Sequence, residues 1–257
     1  MLLEVKHMSF GYPHKPNILQ DINISMDSGC FLGVLGQNGV GKSTLLKCIN
    51  KIYMPIQGEV YIDDINIHHM SLRDIARKVA YVPQYTGAQF PSTVMNLVLM
   101  GRIPYSGYSF GEDDRRYAMQ ALEEMGLSDY ALRDIRHLSG GERQRAFIAR
   151  ALAGHPKMIL MDEPTSSLDV YHQLEVLSLV RKLVQKSHVS VIMVIHDLNM
   201  AAMFCNRILL LKDGKVWKDG TPKEVLTSEN IEEVYHVKSF VSEKENTRYI
   251  QYMDPDL

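Results

Sequence analysis

The chain has 257 residues, a formal net charge of −2, and 46% hydrophobic against 23% charged residues. That length suits one large α/β domain, or a domain carrying an insertion, and the composition is globular. The charge gives no electrostatic case for nucleic acid as a partner, and no apolar run approaches the ~20 residues that cross a bilayer, so work at a membrane would need another chain to do the spanning.

Residues 2–8 alternate well enough for a first strand, followed by Phe10-Gly11-Tyr12 and a Pro/His/Lys turn. Residues 18–26 give a second strand, and Asp27-Ser28-Gly29 a turn. The apolar run 30–35 then leads into Gly36-Gln37-Asn38-Gly39-Val40-Gly41-Lys42-Ser43, which fits G-x-x-x-x-G-K-[ST] at every fixed position, with a helix-like run to about residue 50 behind it. Strand, loop and helix together are the context that motif needs. Its glycines allow a tight loop that turns successive backbone amides toward one anion, and the helix adds its free N-terminal donors and positive dipole end. Lys42 supplies a compact charge for the outer phosphates, and the Ser43 hydroxyl a ligand for Mg²⁺. A short strand at 59–62 follows, and these closely spaced early strands predict an antiparallel piece beside the nucleotide site.

Residues 71–78 read as a helix capped by Ser71 and Asp74, and 79–82 as a strand ending at Pro83-Gln84. Helical spacing resumes at Val94, Leu97 and Val98 and again over 114–125, broken by a Gly/Pro/Tyr-rich stretch at 101–111, so 86–138 is expected to be a mostly helical insertion. In Leu138-Ser139-Gly140-Gly141-Glu142, Ser139 and Glu142 form a capping box, and two glycines leave the first-turn amides bare. This is a second helix end suited to an anion. Residues 158–161 are a buried strand that ends in Asp162-Glu163-Pro164. In a protein with such a phosphate loop, the first acid after that strand holds Mg²⁺, directly or through water, which suits Asp162. Glu163 is expected to point elsewhere on the pleat and to orient and deprotonate the attacking water. A long helix over 170–187, a strand over 189–195, a helix over 197–205 and a hairpin across Asp213-Gly214 complete the alternation, which argues for a mainly parallel sheet. Residues 221–234 read as a terminal helix, and the last twenty as polar and weakly patterned. Cys30, Cys48 and Cys205 lack C-x-x-C spacing and read as reduced, buried thiols of a cytosolic protein, and the N-terminus has no signal-peptide pattern. His68-His69 is not read as a metal pair, because adjacent side chains point apart on a strand.

The order of these segments resembles the nucleotide-binding subunit of ATP-binding cassette (ABC) transporters over nearly the whole chain, and Ser139-Gly140-Gly141-Glu142-Arg143-Gln144 is similar to that family's signature motif. The resemblance implies an α/β P-loop core with a mainly parallel sheet and an antiparallel β piece (1–85 and 139–235), a helical subdomain (86–138) and a C-terminal tail (236–257). It implies that Gly36 through Ser43, with Thr44, hold ATP phosphates, that Tyr12 stacks on adenine, and that Gln84 senses Mg²⁺ and the lytic water. By the same resemblance Asp169 crosses a dimer interface, and His196 contacts the γ-phosphate. Serine at 167, where the family usually carries alanine, is a mild departure. Two copies would sandwich two ATP molecules head to tail, each between the P-loop of one and Ser139-Gly140-Gly141 of the other.

The stretch Val98-Leu99-Met100-Gly101-Arg102-Ile103-Pro104-Tyr105 resembles the ATPases of metal-chelate importers, for ferric siderophores, haem and cobalamin. That implies integral membrane permease subunits as partners, a substrate-binding protein indirectly, no nucleic acid, and a place on the cytoplasmic face of the membrane. The surface between Gln84 and Tyr108 is the expected docking site for a permease helix. A soluble ABC ATPase acting on ribosomes or DNA, and the ATPase of another importer or exporter class, are the alternatives. A single P-loop, scattered cysteines and no heptad run weigh against the first.

Overall fold

The structure, a computed structural model, describes residues 1–84, 91–107, 109–245 and 247–254. In chain order it runs β1 (Leu3–Gly11), β2 (Asn17–Met26), β3 (Phe31–Gly36), α1 (Lys42–Ile49), β4 (Gln57–Ile62), β5 (Ile65–Asn66), α2 (Leu72–Lys78) and β6 (Val79–Val82). Next come α3 (Val94–Leu99), α4 (Glu112–Glu124), α5 (Gly140–Ala153), β7 (Met158–Met161), α6 (Val170–Ser187), β8 (Ser190–Val194) and α7 (Leu198–Phe204). The chain closes with β9 (Arg207–Lys212), β10 (Lys215–Gly220), α8 (Pro222–Val225), α9 (Ser228–Tyr235), β11 (Ser239–Lys244) and β12 (Thr247–Tyr252).

The early strands form an antiparallel sheet, β2-β1-β4-β5, as their short spacing predicts. A second sheet has the order β10-β9-β3-β8-β7-β6, with β9, β3, β8, β7 and β6 mutually parallel. Its central strands are apolar at nearly every position because both faces are covered. Residues alternate between two cores: Phe31 and Leu35 of β3, Ile159 and Met161 of β7, and Val191 and Met193 of β8 face the helices. Leu32 and Val34, Met158 and Leu160, and Ile192 and Val194 face α1 and the antiparallel sheet. Each such side chain, fully buried, contributes about 1.5–3 kcal/mol of transfer free energy.

Val94, Leu97 and Val98 of α3 and Ala118 and Leu122 of α4 belong to the same apolar cluster as β7 and β8, with α5 between them and the sheet. The Gly101–Tyr105 turn is the joint. A Cβ at Gly101 would lie 1.9 Å from the Arg150 carbonyl oxygen of α5. The buried Arg102 pairs with Asp114 at 2.9 Å and donates to the Ala153 carbonyl at 3.0 Å. Its guanidinium lies between the rings of Tyr105 and Tyr117, 4.2 and 4.4 Å from their centres.

Two readings need correction. The single helix expected over 221–234 is two, because Leu226 leaves helical geometry at φ −90°, ψ 73° and Thr227 caps a new helix. Thr221, Pro222 and Glu224 form the first helix's own cap, a signal present in the sequence. The second concerns Glu163 and is taken up below. The C-terminal residues, polar and weakly patterned in sequence, form β11 and β12, which pair as an antiparallel hairpin, and Asn199 of α7 brackets Ile250 through its backbone amide and carbonyl at 2.8 and 3.1 Å. The surface between Gln84 and Tyr108 falls partly on residues 85–90 and 108, outside the described residues.

Candidate nucleotide-hydrolysis site

The four parallel strands β3, β8, β7 and β6 lie side by side and end at one edge, where ligands gather in sheets of this kind. Each delivers one part of the site: β3 the phosphate loop, β8 His196, β7 Asp162 and Glu163, and β6 Gln84.

The loop takes its shape from three glycines with φ of 143°, 81° and 107° at Gly36, Gly39 and Gly41. At two of them space is also closed, since a Cβ would lie 2.5 Å from the Leu211 carbonyl oxygen at Gly36 and 2.7 Å from Leu19 Cδ2 at Gly41. Gly41 caps α1 without a side chain, and no acid occupies the helix's first turn, so its amides face an incoming anion uncontested. Lys42 is buried and turns back over the loop, its Nζ donating to the carbonyls of Gly36 at 2.8 Å and Gln37 at 3.0 Å. Burial pulls its pKa below the ordinary lysine value, while Glu163 and Asp162 oppose the shift.

Asp162 is buried, with both oxygens accepting from hydroxyls: Ser43 Oγ at 2.7 Å and Tyr81 OH at 3.0 Å. A desolvated carboxylate beside a serine hydroxyl is a set of hard oxygen donors, and it fits Mg²⁺. Tyr81 was not legible in the sequence. It reaches Asp162 because the parallel register sets Val82 opposite Met161, and burial followed by the Asp162 charge raises its phenol pKa.

Glu163 is directed not by the pleat but by a left-handed turn: the strand ends at Met161, and Glu163 takes φ 48°. A bulky residue in that region is strained by about 1–3 kcal/mol, which the surrounding structure must hold. The turn aims the carboxylate at two strand-end partners. Gln84 Nε2 donates to one oxygen at 2.6 Å, and His196 Nε2 stands 2.6 Å from the other. These residues and Lys42, Ser43, Thr44, Asn38, Gly39, Gly41 and Ile18 line one cavity of about 360 Å³.

Tyr12 lies in an aromatic group above α1, edge-on to Phe10 and Tyr53 with ring centres 5.4 and 5.8 Å away, and is 37% exposed. The Ser139–Glu142 capping box forms as the sequence predicts: the Ser139 amide donates to the Glu142 carboxylate at 2.7 Å, and the Glu142 amide to Ser139 Oγ at 3.3 Å. Gly141 is required by packing, because a Cβ there would sit 2.5 Å from Cδ2 of His172. His172, another residue the sequence did not single out, lies near Asp169, which caps α6 by accepting from the His172 amide at 2.9 Å, with the ring Nδ1 at 2.8 Å. Ser139, Gly140, Gly141 and Asp169 thus form a second surface, and none of them lines the phosphate-loop cavity.

The ABC transporter family model matches residues 19–166. The iron(3+)-hydroxamate import ATP-binding protein FhuC of Bacillus subtilis is 43% identical over 237 residues, spanning 91% of this chain and 88% of that protein. Among solved structures, a metal-chelate type ABC transporter in an inward-facing conformation superposes with a TM-score of 0.85 at 34% identity, over 98% of this chain and 96% of that one. A dimeric ATP-binding cassette in a post-hydrolysis state, bound to ADP and phosphate, gives a TM-score of 0.75 at 32% identity, over 86% and 99%.

Proposed function

The chain belongs to the ABC transporter ATPases, and from that premise we propose that it is the ATP-hydrolysing subunit of a membrane importer for a metal chelate of the ferric siderophore, haem or cobalamin type. The observation that carries the reading is the division of the phosphate-binding machinery. Lys42, Ser43, Gln84, Glu163 and His196 meet in one cavity, while the helix start at Ser139-Gly140-Gly141 lies outside it. A second copy, related by a two-fold axis, brings its Ser139 surface and Asp169 to each cavity and makes two complete sites.

In that assembly the amides of residues 37–44 cradle the phosphates of ATP, Tyr12 stacks on the adenine, and Lys42 leaves the Gly36 and Gln37 carbonyls for the outer phosphate oxygens. Ser43 and Asp162 would hold Mg²⁺, with Gln84 beside it. Held there, the ion would supply neutralisation of the charge on the phosphates. Glu163, oriented by Gln84 and His196, takes a proton from water as the water oxygen bonds to the γ-phosphorus. The bond to the bridging oxygen breaks, ADP leaves, and His196 steadies the γ-phosphate charge. Loss of that phosphate removes the contact between copies, and the dimer opens.

A groove of about 640 Å³ between α2, the Gly101–Tyr105 turn and α5 supports permease docking. Ile52, Leu72, Met100 and Ile103 are exposed along it, an apolar face of the kind an amphipathic helix covers. No helix among the described residues is long and apolar enough to cross a membrane. In this reading the chain sits peripherally on the permease at the cytoplasmic face, and a substrate-binding protein delivers cargo from the other side. Cargo class rests on likeness to the hydroxamate importer and the metal-chelate transporter, and the 98–105 stretch agrees with it. Copurification with a membrane protein, followed by chelate uptake into reconstituted vesicles that stops without ATP, tests the proposal. Copurification with ribosomes or DNA instead would overturn it.

A further inference from the structure

We propose that Tyr235, in the last turn of α9, is a positioning residue for the phosphate loop. Its hydroxyl accepts from the Gly36 amide at 2.9 Å, a contact between residues 199 positions apart in the chain. Gly36 is held at two further points. It is forced to φ 143° against the Leu211 carbonyl, and its own carbonyl accepts from Lys42 Nζ at 2.8 Å. One peptide residue therefore links the Tyr235 hydroxyl to the lysine that meets the phosphates.

The rest of α9 is placed to make this tie rigid. Glu233 forms an ion pair with Lys212 of β9. Asn230 accepts from Trp217 Nε1 at 3.3 Å and donates to the Val225 carbonyl at 2.9 Å. Behind the loop lies a second cavity, of about 310 Å³, lined by Gln37, Asn38, Gly39 and Val40 on one side and by Val234 and the β9–β10 turn on the other. Packing does not support residues 37–40 from that side, so the hydrogen bond at Gly36 restrains the loop at its base. Burial raises the Tyr235 phenol pKa above its ordinary value, so the group stays a neutral hydroxyl at physiological pH.

This assignment rests on the reading of residues 36–44 as the ATP-phosphate loop. Tyr235→Phe removes only the oxygen and leaves the Gly36 amide without its acceptor. The expected result is a three- to tenfold weaker dissociation constant for a fluorescent ATP analogue, titrated into the purified full chain, with KM for ATP raised in step and kcat at saturation within twofold. Ser190→Ala is the control. Ser190 is a fully buried hydroxyl that accepts from the Gly29 amide at 2.9 Å, so its loss should lower the melting temperature without moving ATP affinity. Amide hydrogen exchange at Gly36 should quicken in Tyr235→Phe alone. Unchanged affinity and KM in Tyr235→Phe, or an equal loss in Ser190→Ala, would overturn the assignment. A wild-type chain unable to bind the analogue would overturn the nucleotide reading along with it.

Discussion

Replacing Glu163 by glutamine separates chemistry from binding, and the structure sets the size of each effect. The side chain is 14% exposed and has two partners, Gln84 and His196, each at 2.6 Å. A glutamine of the same shape keeps its carbonyl oxygen toward Gln84 Nε2 and presents its amide to His196, whose Nε2 accepts in the other tautomer. That rearrangement costs at most about 1 kcal/mol, or under tenfold in any equilibrium. Loss of a general base costs about 10²–10⁴ in rate, or roughly 2.7–5.4 kcal/mol of barrier. The expected outcome is ATP affinity within a few-fold of wild type, single-turnover hydrolysis slowed by about 10²–10⁴ with enzyme in excess, and an ATP-bound dimer that persists in light scattering. Near-normal single-turnover hydrolysis would remove Glu163 as the base.

Ser139→Arg should leave ATP binding by the monomer intact, cost about 1 kcal/mol of stability through the lost cap, and abolish the ATP-dependent dimer. A dimer of normal strength by light scattering would reject the two-copy site. Gly101→Ala forces a methyl to within 1.9 Å of the Arg150 carbonyl and should lower stability by about 1–3 kcal/mol or more, read from the urea midpoint. Burial pushes the Cys48 thiol up to about 12 and raises those of Cys205 and, less deeply buried, Cys30. A thiol reagent at pH 8 should therefore find Cys48 and Cys205 unreactive in the native chain and all three cysteines reactive in denaturant. Rapid native labelling of all three would contradict that burial.

Features that depend on neighbours along the chain could be read without coordinates. The phosphate loop was legible because three glycines, a lysine and a serine must follow one another for the backbone to turn and the helix to start. The Ser139–Glu142 cap was legible because a capping box closes within one turn. Strand positions followed because burial on both faces leaves only apolar residues at 158–161 and 191–194. Where the local signal was misread, as at Thr221 to Thr227, the cap residues were present but merged into one helix.

Features that depend on register and distance emerge only once the elements pack. Tyr81 meets Asp162 through the alignment of two parallel strands, His172 meets Gly141 where α5 and α6 pack, and Tyr235 meets Gly36 from the far end of the chain. No spacing in sequence encodes such pairs, because each is set by the summed packing of the elements between them. The left-handed turn at Glu163 is of the same kind: the sequence supplies the carboxylate, and only the folded surroundings can hold a glutamate in a backbone conformation it would not adopt alone.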